Sequence, residues 1–346
     1  MDENRSGLET NDTAGGAAGG ARERQQISTD SFIVLFIFSL IFCLGVLGNS
    51  LVITVLTRSN QGKPRSTTNI FILNLSIADL SYLLLCIPFQ ATYYVLPQWI
   101  FGGFICKSVH YFFTVSMLVS VFTLSAMAVD RYIAIVHSRK SSCIRVSRNA
   151  WASVVFIWSL SLAVASPVAY YHMLVYKDHH GPFCWENWSV LRHRQVYRVL
   201  TFLVGYLLPL CLICYCYAKV LNHLHKKLRN ISKKSETSKK KTAQTVLVVI
   251  VVFCVSWLPH HVINLWSEFG QFPLTEASFA FRIAAHCLAY SNSSVNPIIY
   301  AFLSENFRKS YQQVFKCKIC SSSPLKDTKE CRSRTDIVPS TSCTNV

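Results

Sequence analysis

Residues 106–132 read CKSVHYFFTVSMLVSVFTLSAMAVDRY, and no Lys, Arg, Asp or Glu occurs between Ser108 and Val129. The run therefore satisfies the roughly 20 apolar residues that a helix needs to cross a bilayer. Both of its ends are chemically marked. Cys106 can tie one end to another segment, or stay a buried free thiol. Asp130 and Arg131 at the other end can form a local ion pair that a partner breaks. Arg131 can equally be an interfacial arginine whose stem lies in the bilayer and whose head reaches water.

Working outward, six more apolar runs join this one, giving seven at roughly 32–57, 67–95, 103–132, 148–170, 196–221, 243–267 and 277–303. With 51% hydrophobic and only 15% charged residues in 346, the chain falls in the membrane class, where soluble-domain counting does not apply. A formal net charge of +17 raises nucleic acid as a partner. The positions of the charges argue against it. Nine of the 34 Lys and Arg lie between Lys219 and Lys241, and eight lie from Arg308 onward, all flanking apolar runs. That is the positive-inside pattern of a membrane protein, with basic loops facing anionic lipid. Residues 1–30 hold six acids and three bases and no apolar signal stretch, whereas Arg58, Lys63 and Arg65 follow the first run. The amino terminus is expected outside, the first span serving as its own insertion signal, and an odd number of spans then puts the carboxyl terminus inside.

A charge at mid-bilayer costs about 2.5–3.5 kcal/mol on insertion scales, so polar residues within the spans mark function. Of the 17 acids only Asp79 lies well inside a run, with Asn49, Ser120, Asn292 and Ser293 at comparable depth in others. Together they form either a pocket for water or a small cation, or a hydrogen-bonded structural network. Pro88, Pro167, Pro209, Pro259 and Pro297 fall late in five runs or at their ends, where each removes a backbone bond and favours a kink.

Residues 1–30 read as a disordered extracellular segment, 31–303 as the spanning domain, 304–317 as an amphipathic juxtamembrane helix and 318–346 as a disordered cytoplasmic tail. The expected fold is thus an all-α membrane protein, a seven-transmembrane helix bundle with a short interfacial eighth helix. Asn4, Asn11 and Asn187 are glycosylation acceptors by sequence. Cys317 and Cys320, at the headgroup level, are candidate palmitoylation sites. The terminal Thr344-Asn345-Val346 has the form of a PDZ ligand. Of 14 cysteines only Cys106 and Cys184 are expected on the oxidising side, which makes them the natural disulfide pair.

These residues resemble the rhodopsin-like (class A) G-protein-coupled receptors. The pattern is carried by Gly48-Asn49, Leu75-Ser76-Ile77-Ala78-Asp79, Asp130-Arg131-Tyr132, Trp158, Pro209, Tyr217, Trp257-Leu258-Pro259 and Asn296-Pro297-Ile298-Ile299-Tyr300. Ser256 stands where the family often has Cys. The resemblance implies a cytoplasmic cavity that opens when an outer ligand shifts the sixth helix. Arg131 would leave Asp130 and meet the G protein, with Tyr132 beside it and Tyr217 and Tyr300 turning inward. Phe253 and Trp257 would transmit the motion past hinges at Pro259 and Pro297, next to Asn296, and the Asp79 cluster would take an allosteric sodium ion. Receptor kinases and arrestin would be further partners.

Absences narrow the ligand. The position of an amine-binding aspartate holds Phe113, and that of a retinal-binding lysine holds Tyr290. The outer ends instead offer His110, Phe113, His260, His261, Glu268, Phe269, Phe272, Phe279 and Arg282, a mouth suited to a peptide with an aromatic anchor. Three histidines without ligand spacing give no fixed zinc site. Lys63 to Asn69, Pro88 to Thr92, Cys184-Trp185-Glu186, Phe272 to Thr275 and Lys219 to Lys227 are similar to the galanin receptors, the last being distinctive of one branch. That resemblance implies the neuropeptide galanin as ligand, a Gi/o protein as partner and inhibition of adenylate cyclase. It also implies peptide contacts at Phe113, His261, Glu268 and Phe279, joined by His110 and Arg282 at the mouth. The branch carries a further histidine one turn after His261, where this chain has Asn264. A receptor for another neuropeptide is the alternative within the family, and a transporter or channel the alternative outside it. No internal repeat or ring of charge supports the latter, and no metal ligand set, nucleophile-base pair or phosphate loop points to an enzyme.

Overall fold

Long apolar runs become long helices because lipid leaves backbone N–H and C=O groups no partner but each other. In the computed structural model, which describes residues 13–58, 65–177, 180–227, 233–273 and 275–303, the order is α1 (Thr13–Arg58), α2 (Thr67–Leu85), α3 (Ile87–Thr92), α4 (Gly102–Val136), α5 (Ser141–Ile144) and α6 (Ser147–Tyr171). A hairpin of β1 (His172–Lys177) and β2 (His180–Glu186) follows, then α7 (Leu191–Phe202), a π-turn at Leu203–Leu207, α8 (Leu208–Lys227), α9 (Lys233–Phe269) and α10 (Glu276–Leu303). Six stretches, Ser31–Arg58, Thr67–Thr92, Gly102–Val136, Ser147–Tyr171, Leu191–Leu224 and Leu247–Phe269, are long and apolar enough to cross a membrane. The seventh, α10, is less apolar because Asn292, Ser293, Ser294 and Asn296 are buried in the bundle.

The central position belongs to α4, which packs on α2, α6, α8, α9 and the hairpin. Packing between membrane helices draws on close contact and interhelical hydrogen bonds rather than on expulsion of water. Trp158 of α6 donates Nε1–H to Asn74 Oδ1 of α2 at 2.8 Å, and Asn74 Nδ2 donates to Thr123 of α4 at 2.8 Å, so one relay pins three spans. A methyl group on Gly48 would lie 2.8 Å from Cβ of Pro297, so α1 and α10 approach this closely only because glycine stands there.

The prolines act unequally. The second span breaks at Cys86 and restarts with Pro88 in the first turn of α3, where its missing N–H costs least. The π-turn precedes Pro209, whose ring crowds the carbonyl four residues back and widens the turn. Pro167, Pro259 and Pro297 lie inside helices that continue past them.

Several boundaries differ from expectation. Residues 13–30, read as disordered, continue α1, because extending an existing helix is easy once the span has nucleated it. Likewise α9 starts ten residues before the sixth apolar run, since the apolar boundary marks the membrane and not the helix end. Nothing in the residues after α6 announces a strand, yet they form an antiparallel hairpin pairing Leu174 with Cys184. The disulfide between Cys106 and Cys184 fixes that hairpin to the start of α4, and Trp99 N–H donates to Pro182 O at 2.7 Å beside it. The eighth helix, the tail with Cys317, Cys320 and Thr344 to Val346, and Asn4 and Asn11 lie outside the described residues.

Candidate functional site: the two ends of the bundle

At the hairpin end, where the mouth is expected, the spans bring a cluster of rings together. Phe113 of α4 stands at its centre, with ring centroids 5.9 Å from Tyr82, 5.5 Å from Trp257, 5.5 Å from His260 and 5.8 Å from Tyr290. His110, one turn nearer the hairpin, stacks on His172 of β1 at 4.2 Å and shares a 2.7 Å hydrogen bond with Tyr93. Tyr94 and His286 share one of 2.8 Å, and Asn264 and His260 one of 2.9 Å. Asn264 therefore orients the imidazole that faces Phe113. His261 is buried against Phe202 and Tyr206 of the fifth span, so of the two adjacent histidines it is His260 whose ring meets Phe113. Phe279 is exposed on the rim, and Arg282 lies over the Phe272 ring at 5.1 Å. Among the described residues no group of three or more His, Cys, Asp or Glu is arranged to hold a metal.

Two ion pairs cross this mouth. Arg194 of α7 meets Glu268 of α9 at 3.1 Å, and Arg198, one turn on, meets Glu186 of β2 at 2.8 Å. Glu186 also accepts from Trp188 Nε1 at 3.0 Å, and Trp188 stacks on Tyr171 at 3.7 Å. Burial works against the charged form of Glu186, but Arg198 and the Trp188 and Arg198 hydrogen bonds outweigh it and hold the carboxyl below its ordinary value. Burial in turn holds the His172 imidazole below its ordinary value, against the Val168 carbonyl and Glu186, which favour the proton. Arg194, Arg198, His172 and His286 carry no signal in the sequence, because the groups they meet across the mouth, Glu268, Glu186, His110 and Tyr94, lie 12 to 192 residues away.

Below the mouth, Trp257 and Phe253 lie one turn apart on α9 with tilted rings whose centroids are 6.0 Å apart, both buried. Asp79 is fully buried and accepts from Asn296 Nδ2 at 2.8 Å, while Asn49 Nδ2 donates to the Gly45 and Ser293 carbonyls at 2.9 and 2.8 Å. Ser120, Asn292 and Ser293 are buried too. The structure so brings together α1, α2 and α10 around the one mid-span acid.

At the opposite end Asp130 is a node. It accepts from Thr67 at 2.7 Å, Thr68 at 3.2 Å, Arg131 Nη2 at 2.5 Å, and Arg145 Nε and Nη2 at 2.7 and 3.1 Å. Arg131 Nη2 also donates to the Thr68 hydroxyl. Tyr132 shares a 3.0 Å hydrogen bond with His137 and turns away from Arg131's partners. Tyr217 is buried, whereas the side chain of Tyr300 lies outside the described residues. Arg145 was missed from sequence because nothing local distinguishes it from the other loop cations.

A seven-helix bundle with an aromatic mouth at one end and an acid-arginine node at the other defines a membrane receptor of the seven-span class. The profile of the 7 transmembrane receptor (rhodopsin family) matches residues 48–300. Galanin receptor type 1 of Mus musculus is 72% identical over 320 residues, 92% of each chain, and that of Homo sapiens 71% over 321, again 92% of each. Galanin receptor type 2 of Homo sapiens is 42% identical over 288 residues, 82% of this chain and 73% of the relative. The chain belongs to the rhodopsin family of seven-transmembrane receptors and, within it, to the galanin receptors. It is a multi-pass plasma membrane protein and a receptor, not an enzyme.

Proposed function

We propose that the chain receives the neuropeptide galanin at the hairpin end, outside the cell, and activates a heterotrimeric Gi/o protein at the Asp130 end, lowering adenylate cyclase activity. The observation that carries this reading is the mouth itself. It offers a central aromatic seat at Phe113, an imidazole set beside it by Asn264, and a nearly buried carboxylate, Glu268, as a counter-charge, all on a chain 72% identical to a galanin receptor type 1. An aromatic residue of the peptide packs on Phe113, a ring in contact with Trp257, so seating it presses on the column that continues to Phe253. The motion of α9 then reaches the opposite end, where Arg131 leaves Asp130 for the G protein.

The Asp79 cluster takes a sodium ion in this reading. The residues fit: Oδ1 of Asp79 and the amide oxygens of Asn49, Asn292 and Asn296 are buried without a hydrogen-bond partner, and such hard oxygen donors suit a hard cation. Bound there, the ion would compensate the Asp79 charge. The expected orientation makes Asn187, exposed after the hairpin, a third glycan acceptor beside Asn4 and Asn11.

The test is galanin-stimulated guanine-nucleotide exchange on Gi in membranes that hold this chain. Exchange should rise with peptide, and Arg131→Ala should abolish it while peptide still binds. A well-expressed wild type that ignores galanin sinks the ligand and moves the search to other neuropeptides.

A further inference from the structure

The loop between α4 and α6 carries an arginine to which the mechanism above gives no role. Asp130 is 6% exposed and takes its five hydrogen bonds from four side chains, two of them guanidiniums that hold it differently. Arg131 reaches the carboxylate through Nη2 alone and shares that nitrogen with the Thr68 hydroxyl, while its Nε is buried with no hydrogen-bond partner. Arg145 instead spans both oxygens, Nε to Oδ1 and Nη2 to Oδ2, and its Nη2 also donates to Thr67 at 3.1 Å. Two-point contact by a planar guanidinium is the stronger and more specific mode. The loop that presents it is anchored independently: Ser147 donates to the Arg65 carbonyl at 2.7 Å, and Asn149 to that of Ile144 at 2.9 Å.

We propose that Arg145 is the resident counter-ion of Asp130, a positioning residue that sets how readily Arg131 is released. The inference rests on the reading that Arg131's departure opens this end to the G protein. A buried carboxylate stripped of its only cation is strongly disfavoured. With Arg145 in place, Asp130 stays paired after Arg131 has gone, and the repulsion between two guanidiniums on one carboxylate is relieved. The sign is distinctive. A simple lock, in which every bond to Asp130 holds the closed state, predicts that removing Arg145 raises activity. Here its removal makes Arg131 the sole counter-ion and lowers activity.

The experiment compares basal and galanin-stimulated exchange on Gi for wild type, Arg145→Met, Arg145→Lys, Asp130→Asn and the Asp130→Asn/Arg145→Met double variant, at matched surface expression and with peptide binding measured without G protein. Arg145→Met should lower basal exchange and move the galanin response to about tenfold higher peptide, with peptide binding unmoved. Arg145→Lys, which keeps the charge and loses the fork, should lie between and serves if the Met variant fails to reach the surface. In the Asp130→Asn background the Arg145→Met change should do nothing further. Basal exchange equal to or above wild type in both Arg145 variants, or the same loss in the Asp130→Asn background, overturns the inference. A wild type deaf to galanin overturns the proposed ligand instead, and the order of basal exchange among the variants still judges Arg145.

Discussion

At the hairpin end two partly buried carboxylates have one arginine each, Glu268 with Arg194 and Glu186 with Arg198, whereas at the opposite end Asp130 has two, with two threonine hydroxyls besides. The difference teaches what each end is able to do. A one-to-one pair is broken without penalty only when something else supplies the missing charge or donors, which is the property of a surface that waits for a ligand. A carboxylate with two cations can lose one and remain compensated, which is the property of an internal switch. Rings follow the same division: they crowd around Phe113, the seat proposed for the peptide, and are sparse around Asp130.

The largest effect is expected from the bridge that gives the mouth its roof. Cys184→Ser opens a loop of 78 residues' separation, worth ~4 kcal/mol in the chain-entropy account, and should remove nearly all surface galanin binding in a radioligand assay normalised to surface protein. Binding at the wild-type level would mean that the hairpin does not shape the mouth, and the contrast between the two ends would lose one of its terms.

A smaller change sharpens the contrast. Glu268→Gln keeps the shape and removes the charge facing Arg194, so galanin affinity should weaken about tenfold, near 1.4 kcal/mol. Unchanged affinity in competition binding would show that this pair is a brace between α7 and α9 and not a seat for the peptide.

The smallest effect separates the titrating groups of the mouth. His172 has its value lowered in the folded protein, so below the ordinary histidine value of about 6.5 the unfolded chain takes up the proton first. The stability it contributes is full above that pH and is lost as pH falls toward the folded-state value. Glu186 is also lowered, so its contribution persists down to the ordinary carboxylate range and disappears only below it. The melting temperature of the detergent-solubilised protein should therefore fall by a few degrees, about 1 kcal/mol, between pH 7 and 5, and His172→Gln should flatten part of that slope. An identical slope in the variant would remove His172 as the source.

Sequence reading went furthest where one residue type has one physical use. A single acid in an apolar span has to be functional or paired, which singled out Asp79. Two cysteines on the oxidising side have to find each other, which gave Cys106 and Cys184. Reading stopped where chemistry depended on who stands opposite. His260 and His261 are adjacent and chemically the same, and only the rotation of α9 puts one against Phe113 and the other against Tyr206. The hairpin was illegible because its strands are held by Cys106 and Trp99, which lie far away in the chain.

The sequence by itself therefore determined that the chain crosses a membrane seven times, because apolar length and the lack of charge suffice for a helix in lipid. It also determined the bridge and the chemical character of both ends, because each needed only residue type and topological side. The tertiary structure alone decided the pairing of charges: that Arg194 takes Glu268, that Arg198 takes Glu186, and that Arg145 joins Arg131 on Asp130. Those three pairs depend on a few ångströms between groups 12 to 74 residues apart, and that distance exists only once the helices have packed.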